Sequence, residues 1–322
     1  MKFCYLVPRT QYDNKTSRVR FHQIEAIGKI VETLWTGPGW DNYQDHLSVE
    51  ENLKRLYKGK MPTLAIVFDY RPMIDFHKIK TLKCVIMNEM HDPDGSRENA
   101  LQLMTTHTNA DIVICHHLNE MLNPYFHSIR NKLFNIPHSA NEHIFKDYNL
   151  PKTTDVLLCG STKIEKYQLR KKMVDVIQNL QSNNVNAKIH QHPGGWLPDA
   201  ATDRYLVDFA KAINQSKICL TCSSIYKCVF GKYVEIPMCN SLLCGDVPDE
   251  RQEFFRSFML EVHESESVGR ITQKIINQLN DLDSLQNKTK IGFEQSQNYT
   301  MEKYAERFVQ TVQSYINTRK IL

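Results

Sequence analysis

Two charged residues in one short helical pattern are the strongest sign of chemistry in this 322-residue chain. Lys232 and Glu235 lie in GKYVEIPMC, a predicted helix that follows the apolar strand pattern KICLTCSS. In open α/β sheets, ligands bind outside the carboxyl ends of the strands, beside helix N-termini. A carboxylate at this place can accept hydrogen bonds from both hydroxyls of a ribose. The same position also suits an acid that interacts only with the helix dipole.

A second candidate site follows the buried strand pattern DVLLCGS. Gly160, Ser161 and Thr162 lie between this strand and a helix, where backbone N–H groups can bind a phosphate. Tight strand-to-helix turns use the same residues for packing, and that alternative stays open. Arg170 lies three residues after Tyr167 on one helical face, so it is the basic residue here that we expect to point at a ligand.

Other motifs that carry chemistry are incomplete or missing. LCGSTK lacks the upstream glycine of a P-loop, and no GxGxxG follows a strand. His91, at the end of the apolar pattern LKCVIMNEMHD, is the histidine best suited to an acid–base or electrostatic role. The neighbouring HDPDG could hold a divalent ion but lacks the spacing of a calcium loop. Nothing resembles GxSxG or HExxH.

The nine cysteines do not form a metal or redox motif. Most lie inside strand patterns among Ile, Val and Leu, as reduced, buried cysteines of cytosolic proteins do. Cys219 and Cys222 are placed on one strand, where residues three apart point to opposite faces. A zinc site and a thioredoxin-type pair are therefore both disfavoured.

The elements that must position these residues alternate between strand and helix in two series. The first series predicts strands at 1–7, 63–70, 82–92 and 110–117, with helices over 21–34, from Val49 to Tyr57 and over 96–106. Residues 132–155 contain two prolines and connect the two series, with a break near Pro137. The second series predicts strands at 155–161, 187–192, 217–224, 241–247 and 258–264. Helices over 267–281 and 300–317 complete it, so the fold is α/β with two Rossmann-like halves.

Charge and hydropathy exclude some functions. A net charge of +4 is too small to argue for nucleic acid, although a slight basic excess suits a phosphate-bearing ligand. No segment approaches the roughly 20 apolar residues that span a bilayer. The N-terminus reads as a first strand with no cleavage site for a signal peptide, so we expect a cytoplasmic protein.

Several of these segments together resemble a known family. FNIPHSANEHIF, DVLLCGSTKIEKYQLRKKM and KYVEIPMCNSLLCGDVPDE are similar to the nucleotide-sugar half of GT-B glycosyltransferases, and most similar to the CgeB-like group. WTGPGWDNY resembles a glycine-rich loop in the other half. The resemblance implies two Rossmann-like domains that face each other across a cleft. Residues 1–137 would be the acceptor domain, 138–300 the donor domain, and 301–322 a helix that returns to the acceptor domain.

The resemblance also assigns roles to residues. Glu235 matches the acid that binds the donor ribose, and Lys232 lies beside the phosphates. The full donor-binding set that it implies is Gly160, Ser161, Thr162, Tyr167, Arg170, His192, Ser223, Ser224, Lys232 and Glu235. His91 and Asp92 would be catalytic and contact the acceptor or the transferred sugar. The acceptor-side loop would be Gly37, Gly39 and Trp40.

The implied activity is transfer of a hexose or pentose from a UDP- or GDP-sugar to a glycan or other hydroxyl acceptor, without a metal or other cofactor. Retention is expected, although this sequence departs from the Glu-x7-Glu pattern of retaining members, with Lys227 in place of the first acid. Asn240 also replaces a usual glycine. A non-catalytic nucleotide- or sugar-binding scaffold and a nucleotide-sugar epimerase remain as alternatives.

Overall fold

The chain folds into two compact units. The computed structural model describes residues 1–68, 76–87, 106–122, 124–162 and 165–319. Unit 1 comprises Met1–Pro137, Trp196–Ala201 and Met301–Leu322, and unit 2 comprises His138–Gly195 and Thr202–Thr300. None of the helices in these described ranges is both long and apolar enough to cross a membrane.

The strands and helices of the described chain alternate along most of its length. The strands are β1 (Phe3–Leu6), β2 (Thr33–Thr36), β3 (Leu64–Phe68), β4 (Leu82–Ile86), β5 (Ile112–Cys115), β6 (Leu133–Asn135), β7 (Thr154–Leu158), β8 (Ala187–Ile189), β9 (Ser216–Leu220), β10 (Leu242–Gly245) and β11 (Leu260–Glu261). The α-helices are α1 (Arg9–Asn14), α2 (Val19–Ile30), α3 (Val49–Leu56), α4 (Leu118–Met121), α5 (Gln168–Ser182), α6 (Arg204–Asn214), α7 (Lys232–Met238), α8 (Gln252–Arg256), α9 (Val268–Asn280), α10 (Leu282–Ser296) and α11 (Met301–Arg319).

Unit 1 is built on a parallel sheet with the order β2-β1-β3-β4-β5-β6. Its strands are apolar on both faces, as expected of a parallel sheet covered by helices. Helix α11 packs against α2 and adds Tyr304 and Phe308 to the core on one face, where the rings of Phe3 and Phe308 meet edge to face at 6.2 Å. All three tryptophans belong to this unit.

Unit 2 is built on a second parallel sheet with the order β11-β10-β9-β7-β8. Helix α5 buries Leu169, Met173 and Ile177 against one face of the sheet. Helices α6 and α7 bury Phe209, Tyr233 and others against the other face. The α/β prediction of two Rossmann-like halves is confirmed by these two sheets.

Some predicted boundaries were wrong. The helix expected over 21–34 ends at Ile30, and residues 33–36 form β2, which pairs with β1. Val31 already has an extended backbone, so Leu34 fits the helical spacing by coincidence. Helix α1 lies between the predicted strand at 1–7 and the predicted helix over 21–34, where no element was predicted, and the connecting segment 132–155 contains β6. Residues 88–92 and most of the helix expected over 96–106 lie outside the described residues.

Candidate functional site

The second sheet has a topological switch point between β7 and β9. From β7 the chain continues to the neighbouring β8 on one side, and then returns to form β9 on the other side. Ligands of open α/β sheets bind at such a point, outside the carboxyl ends of the strands. Gly160 and Ser161 follow β7 here, and residues 221–224 follow β9. The two segments that the sequence suggested for ligand binding therefore lie on adjacent strands.

Arg170 connects these two loops. Its side chain is only 4% exposed, and its Nη1 donates to the carbonyl of Ser161 at 3.1 Å. Its Nη2 donates to Thr221 Oγ1 at 3.2 Å and lies 3.5 Å from the carbonyl of Cys222. The hydrogen bonds of the guanidinium thus hold the two loops together at the switch point. Its Nε is buried without a hydrogen-bond partner among the described residues.

Gly160 and Tyr167 enclose the same guanidinium. Gly160 has a φ of +92°, and a Cβ there would lie 2.9 Å from Arg170 Nη1. The Arg170 Cζ lies 4.1 Å from the centre of the Tyr167 ring, which is a cation–π distance. Burial raises the pKa of Tyr167 although Arg170 opposes that shift. The glycine is therefore required both by its backbone conformation and by the space that Arg170 occupies.

Lys232 and Glu235 form an ion pair in the first turn of α7. Lys232 Nζ lies 2.5 Å from Glu235 Oε2, and the two side chains are 23% and 14% exposed. Lys232 Nζ also lies 4.7 Å from the centre of the Phe209 ring on α6. The sequence predicted that this pair shares a helical turn, and the structure shows the two groups in contact.

Two histidines follow β8. His190 is half-buried, and its ring centre lies 4.6 Å from that of Phe209, so it shares this ring with Lys232. His192 is exposed, and its Nδ1 accepts a hydrogen bond from Gly194 N at 3.0 Å. Partial burial of the rings, followed by the charge of Lys232, lowers the pKa of both imidazoles, although His192 as a whole residue is exposed. His192 was predicted for the site, whereas His190 and Phe209 were not.

Asp246, directly after β10, is a site residue that sequence reasoning missed. Its carboxylate is buried and accepts from Ser223 N at 2.8 Å, from Ser223 Oγ and from Lys227 Nζ at 2.9 Å. The Tyr233 hydroxyl on α7 donates to its carbonyl at 2.6 Å and lies 3.2 Å from Oδ1. Asp246 thus joins the loop after β9 to helix α7. An aspartate that directly follows a buried strand was the available signal.

The predicted serines have different surroundings. Ser223 is fully buried and uses its side chain on Asp246. Ser224 has a φ of +65°, and its Oγ accepts from Tyr226 N at 3.2 Å. Lys227, which stands eight residues before Glu235, also has a positive φ and pairs with Asp246. The loop after β9 is therefore held in an uncommon backbone conformation by a buried carboxylate.

The predicted acceptor-side loop lies in unit 1, after β2. Gly37 has a φ of +146°, and a Cβ there would lie 2.5 Å from the carbonyl oxygen of Val7. Trp40 Nε1 donates to that same oxygen at 2.8 Å, and Arg9 Cζ lies 4.6 Å from the Trp40 ring. Gly39 has a φ of +82°. These contacts fix the loop against the carboxyl end of β1.

The catalytic pair, Thr162 and the cysteines are the predicted residues that remain. The predicted catalytic pair, His91 and Asp92, lies outside the described residues. Thr162 is half-buried after β7. All nine cysteines are buried and free, as the strand patterns predicted. Burial raises the pKa of Cys4 and of Cys244 to about 12, so these thiols are protonated and unreactive near neutral pH.

Solved structures share the fold of this chain, although no family model matches it and no curated protein matches its sequence. Sucrose-phosphate synthase from Thermosynechococcus elongatus aligns with a TM-score of 0.67 at 12% identity, over 99% of this chain and 100% of that one. Anabaena HepE, in complex with UDP-glucose, aligns with a TM-score of 0.69 at 10% identity, over 98% and 100%. A glycosyltransferase from Rickettsia africae aligns with a TM-score of 0.60 at 12% identity, over 98% of each chain.

These similarities confirm the predicted GT-B fold, with its parallel sheets of six and five strands. At such identities the likeness establishes the fold and leaves activity to be argued from the site. Membership of the CgeB-like group stays a prediction.

Proposed function

We propose that this chain is a glycosyltransferase that binds a nucleoside-diphosphate sugar at the switch point of unit 2 and transfers the sugar to a hydroxyl acceptor. The observation that carries the proposal is the set of charges gathered there. Arg170 lies between the loops after β7 and β9, and Lys232 is paired with Glu235 in α7. Two cations suit a diphosphate, and one carboxylate suits a ribose.

The similar structures support the choice of ligand. HepE is described in complex with UDP-glucose, and a pneumococcal O-GlcNAc transferase of similar fold in complex with UDP and GlcNAc. A uridine nucleotide sugar is therefore the donor that we would test before a GDP-sugar. The acceptor would be a glycan or another hydroxyl compound, with a hexose or pentose as the transferred group.

The chemistry that we assign to the site is stabilisation of the leaving nucleoside diphosphate. In the transfer step, the bond between the sugar and the β-phosphate of the donor breaks, and negative charge develops on that phosphate. Preorganised cations lower the barrier by stabilising this charge. Lys232 and Arg170 would do this, with the backbone N–H groups after Gly160. With these cations no divalent metal is needed, so we expect EDTA to leave the rate unchanged.

Calorimetric titration tests the assignment of Glu235. We expect UDP to bind better than its 2′-deoxy analogue by about tenfold, or about 1.4 kcal/mol, because a hydrogen bond to a charged group is lost. In Glu235→Ala this preference for the ribose hydroxyl should disappear. The absolute affinity of this variant is less informative, because removing the carboxylate also leaves Lys232 unpaired. Glu253→Ala, which removes an exposed acid from the first turn of α8, is the matched control.

The ratio of the two affinities decides the outcome. An unchanged preference in Glu235→Ala would remove Glu235 from the ribose site. The absence of binding by UDP, GDP and their sugars would refute the proposed function itself.

One observation favours a non-catalytic alternative. Lys227 occupies the place of an expected acid and is engaged with Asp246. A binding scaffold would bind UDP-sugars without turnover, and an epimerase would isomerise the donor without any acceptor. Incubation with a panel of donors, followed by NMR of the anomeric signal, separates these possibilities. We expect a transferred sugar with retained configuration.

A further inference from the structure

We propose that His190 and His192 bind the diphosphate of the donor together with Lys232, and that they take up protons when it binds. This inference rests on the proposed function, since it concerns the same ligand. It adds two residues to the diphosphate site and predicts that protons are taken up when the donor binds. A site made only of lysine and arginine would take up none.

The first support is the position of the two imidazoles. Both follow β8, which is the neighbour of β7 at the switch point. His190 and Lys232 contact the same Phe209 ring, at 4.6 Å and 4.7 Å from its centre. His192 lies two residues farther along the loop and is exposed. An anion bound by Lys232 would therefore have imidazoles within electrostatic reach.

The second support is the hydrogen bond at His192. Because Gly194 N donates to Nδ1, the neutral ring carries its proton on Nε2, which is then a donor for a phosphate oxygen. A protonated ring would donate from both nitrogens, so this bond from Gly194 cannot persist in the charged state. Gly194 has a φ of +90°, and a Cβ added there would meet no atom within 4 Å, so the turn has space to rearrange.

The third support is the set of charges around the pair. Burial has the largest effect and lowers the pKa of both imidazoles. Lys232 on α7 lowers both further, and Arg170 on α5 and His190 lower that of His192. Asp208 on α6 opposes the shift at His190 only. Glu235 on α7 is already paired with Lys232. The pKa of each ring is therefore held below the ordinary histidine value, which favours the neutral form in the ligand-free protein.

The sign of the coupling follows from these charges. A bound diphosphate adds negative charge beside the rings and raises the pKa of each, so the complex holds more protons than the free protein. By linkage, the affinity must then increase as the pH falls, by up to about tenfold per pH unit for each histidine that becomes charged. A site that used only Lys232 and Arg170 would bind with the same affinity across this range.

Titration calorimetry with UDP-glucose in buffers of different ionisation enthalpy measures the protons directly. A nucleotide sugar is the appropriate probe because each of its phosphates carries one ester and one anhydride bond and has no proton that titrates near neutral pH. The terminal phosphate of UDP itself has a pKa of about 6. We expect the observed enthalpy to differ between PIPES and imidazole in the direction of net proton uptake. Histidine ring signals in NMR should show the two pKa values rising when UDP-glucose is added.

Two variants assign the protons to residues. His192→Asn places an oxygen where Nδ1 accepts from Gly194, so it conserves the turn and removes the titration. His190→Gln removes the other ring. Each should lower the proton uptake and flatten the pH dependence of binding, while His143→Asn, at an exposed histidine of unit 2, should change neither.

The outcomes separate the inference from the proposed function. Binding with equal enthalpies in both buffers would overturn the inference and leave the donor site standing. Undiminished proton uptake in both variants would overturn it too, because another group would then be responsible. No heat of binding in any buffer would refute both proposals.

Discussion

Gly160→Ala is the substitution whose cost the structure defines most directly. Gly160 has a φ of +92°, and the new methyl group would lie 2.9 Å from Nη1 and 3.0 Å from Cζ of Arg170. The guanidinium cannot move into solvent at no cost, since it is buried and donates to the loops after β7 and β9. The substitution therefore combines backbone strain with the displacement of a buried charge.

The two costs are separable. A positive φ costs an alanine about 1–2 kcal/mol. Loss of one hydrogen bond from the charged Arg170 adds about 1.5–3 kcal/mol. We expect a total of about 3–5 kcal/mol, which corresponds to an opening equilibrium roughly a hundredfold to a few thousandfold more favourable, at 1.4 kcal/mol per tenfold.

Hydrogen exchange followed by mass spectrometry measures this equilibrium at the amides of β7 and β9. These amides are protected in the sheet, with Cys159 N bonded to Leu220 O at 2.9 Å, and exchange when the sheet opens. Two other glycines of unit 2 serve as controls that separate the backbone strain from the contact with Arg170. Gly194→Ala has the same backbone strain, with a φ of +90°, but nothing within 4 Å, and Gly269→Ala has neither problem.

We expect the exchange rates to rise most in Gly160→Ala, by about tenfold in Gly194→Ala from strain alone, and not at all in Gly269→Ala. Equal effects of the first two variants would refute the argument, because the contact with Arg170 would then contribute nothing.

Three further expectations concern unit 2 and the thiols. Asp246→Asn should lower the free energy of unfolding by about 2 kcal/mol in urea titrations, because the half-exposed Lys227 loses its charged partner. In a Lys227→Met background this ion pair is already absent, so the same substitution should cost less. Asn240→Ala should be more destabilising than Asn240→Gly by about 1 kcal/mol in the same assay, since Asn240 has a φ of +55° and both lose the bond to Asp147. DTNB at about pH 8 should label the cysteines only after unfolding, because burial raises the pKa of Cys4 and Cys244 to about 12; rapid labelling of the native protein would contradict this.

Periodicity predicted the fold class because both sheets are parallel and buried. Their strands are short apolar runs, and the intervening helices α3 and α5 have clear apolar faces. Where a local pattern was compatible with both helix and strand, pairing with a distant strand determined the structure. Residues 33–36 continue the helical spacing of α2 but form β2, because pairing with β1 satisfies their backbone groups. A single sequence contains no direct sign of that pairing.

The candidate site was predictable only in part. Gly160 was singled out because it directly follows an apolar strand pattern, and Arg170 and Glu235 because they lie near the start of the helices that come next. Asp246 directly follows an apolar strand pattern and could have been singled out, but its role was not visible, because its partners stand 13 to 23 residues away along the chain and meet only after folding. Asn240 looked like a defect against the usual glycine. The structure explains it through a positive φ that asparagine tolerates and an amide bonded to Asp147.

The packing of α11 against α2 has a consequence for synthesis of the chain. Phe3 and Ile24 are translated well before their core partners Tyr304 and Phe308, with the whole of unit 2 in between. At about 5–20 residues per second, unit 2 is complete while unit 1 still lacks α11. Unit 1 therefore begins before unit 2 and is completed after it. Until then the apolar face of α2 is a natural target for chaperones, and a premature stop codon before residue 301 would leave that face uncovered.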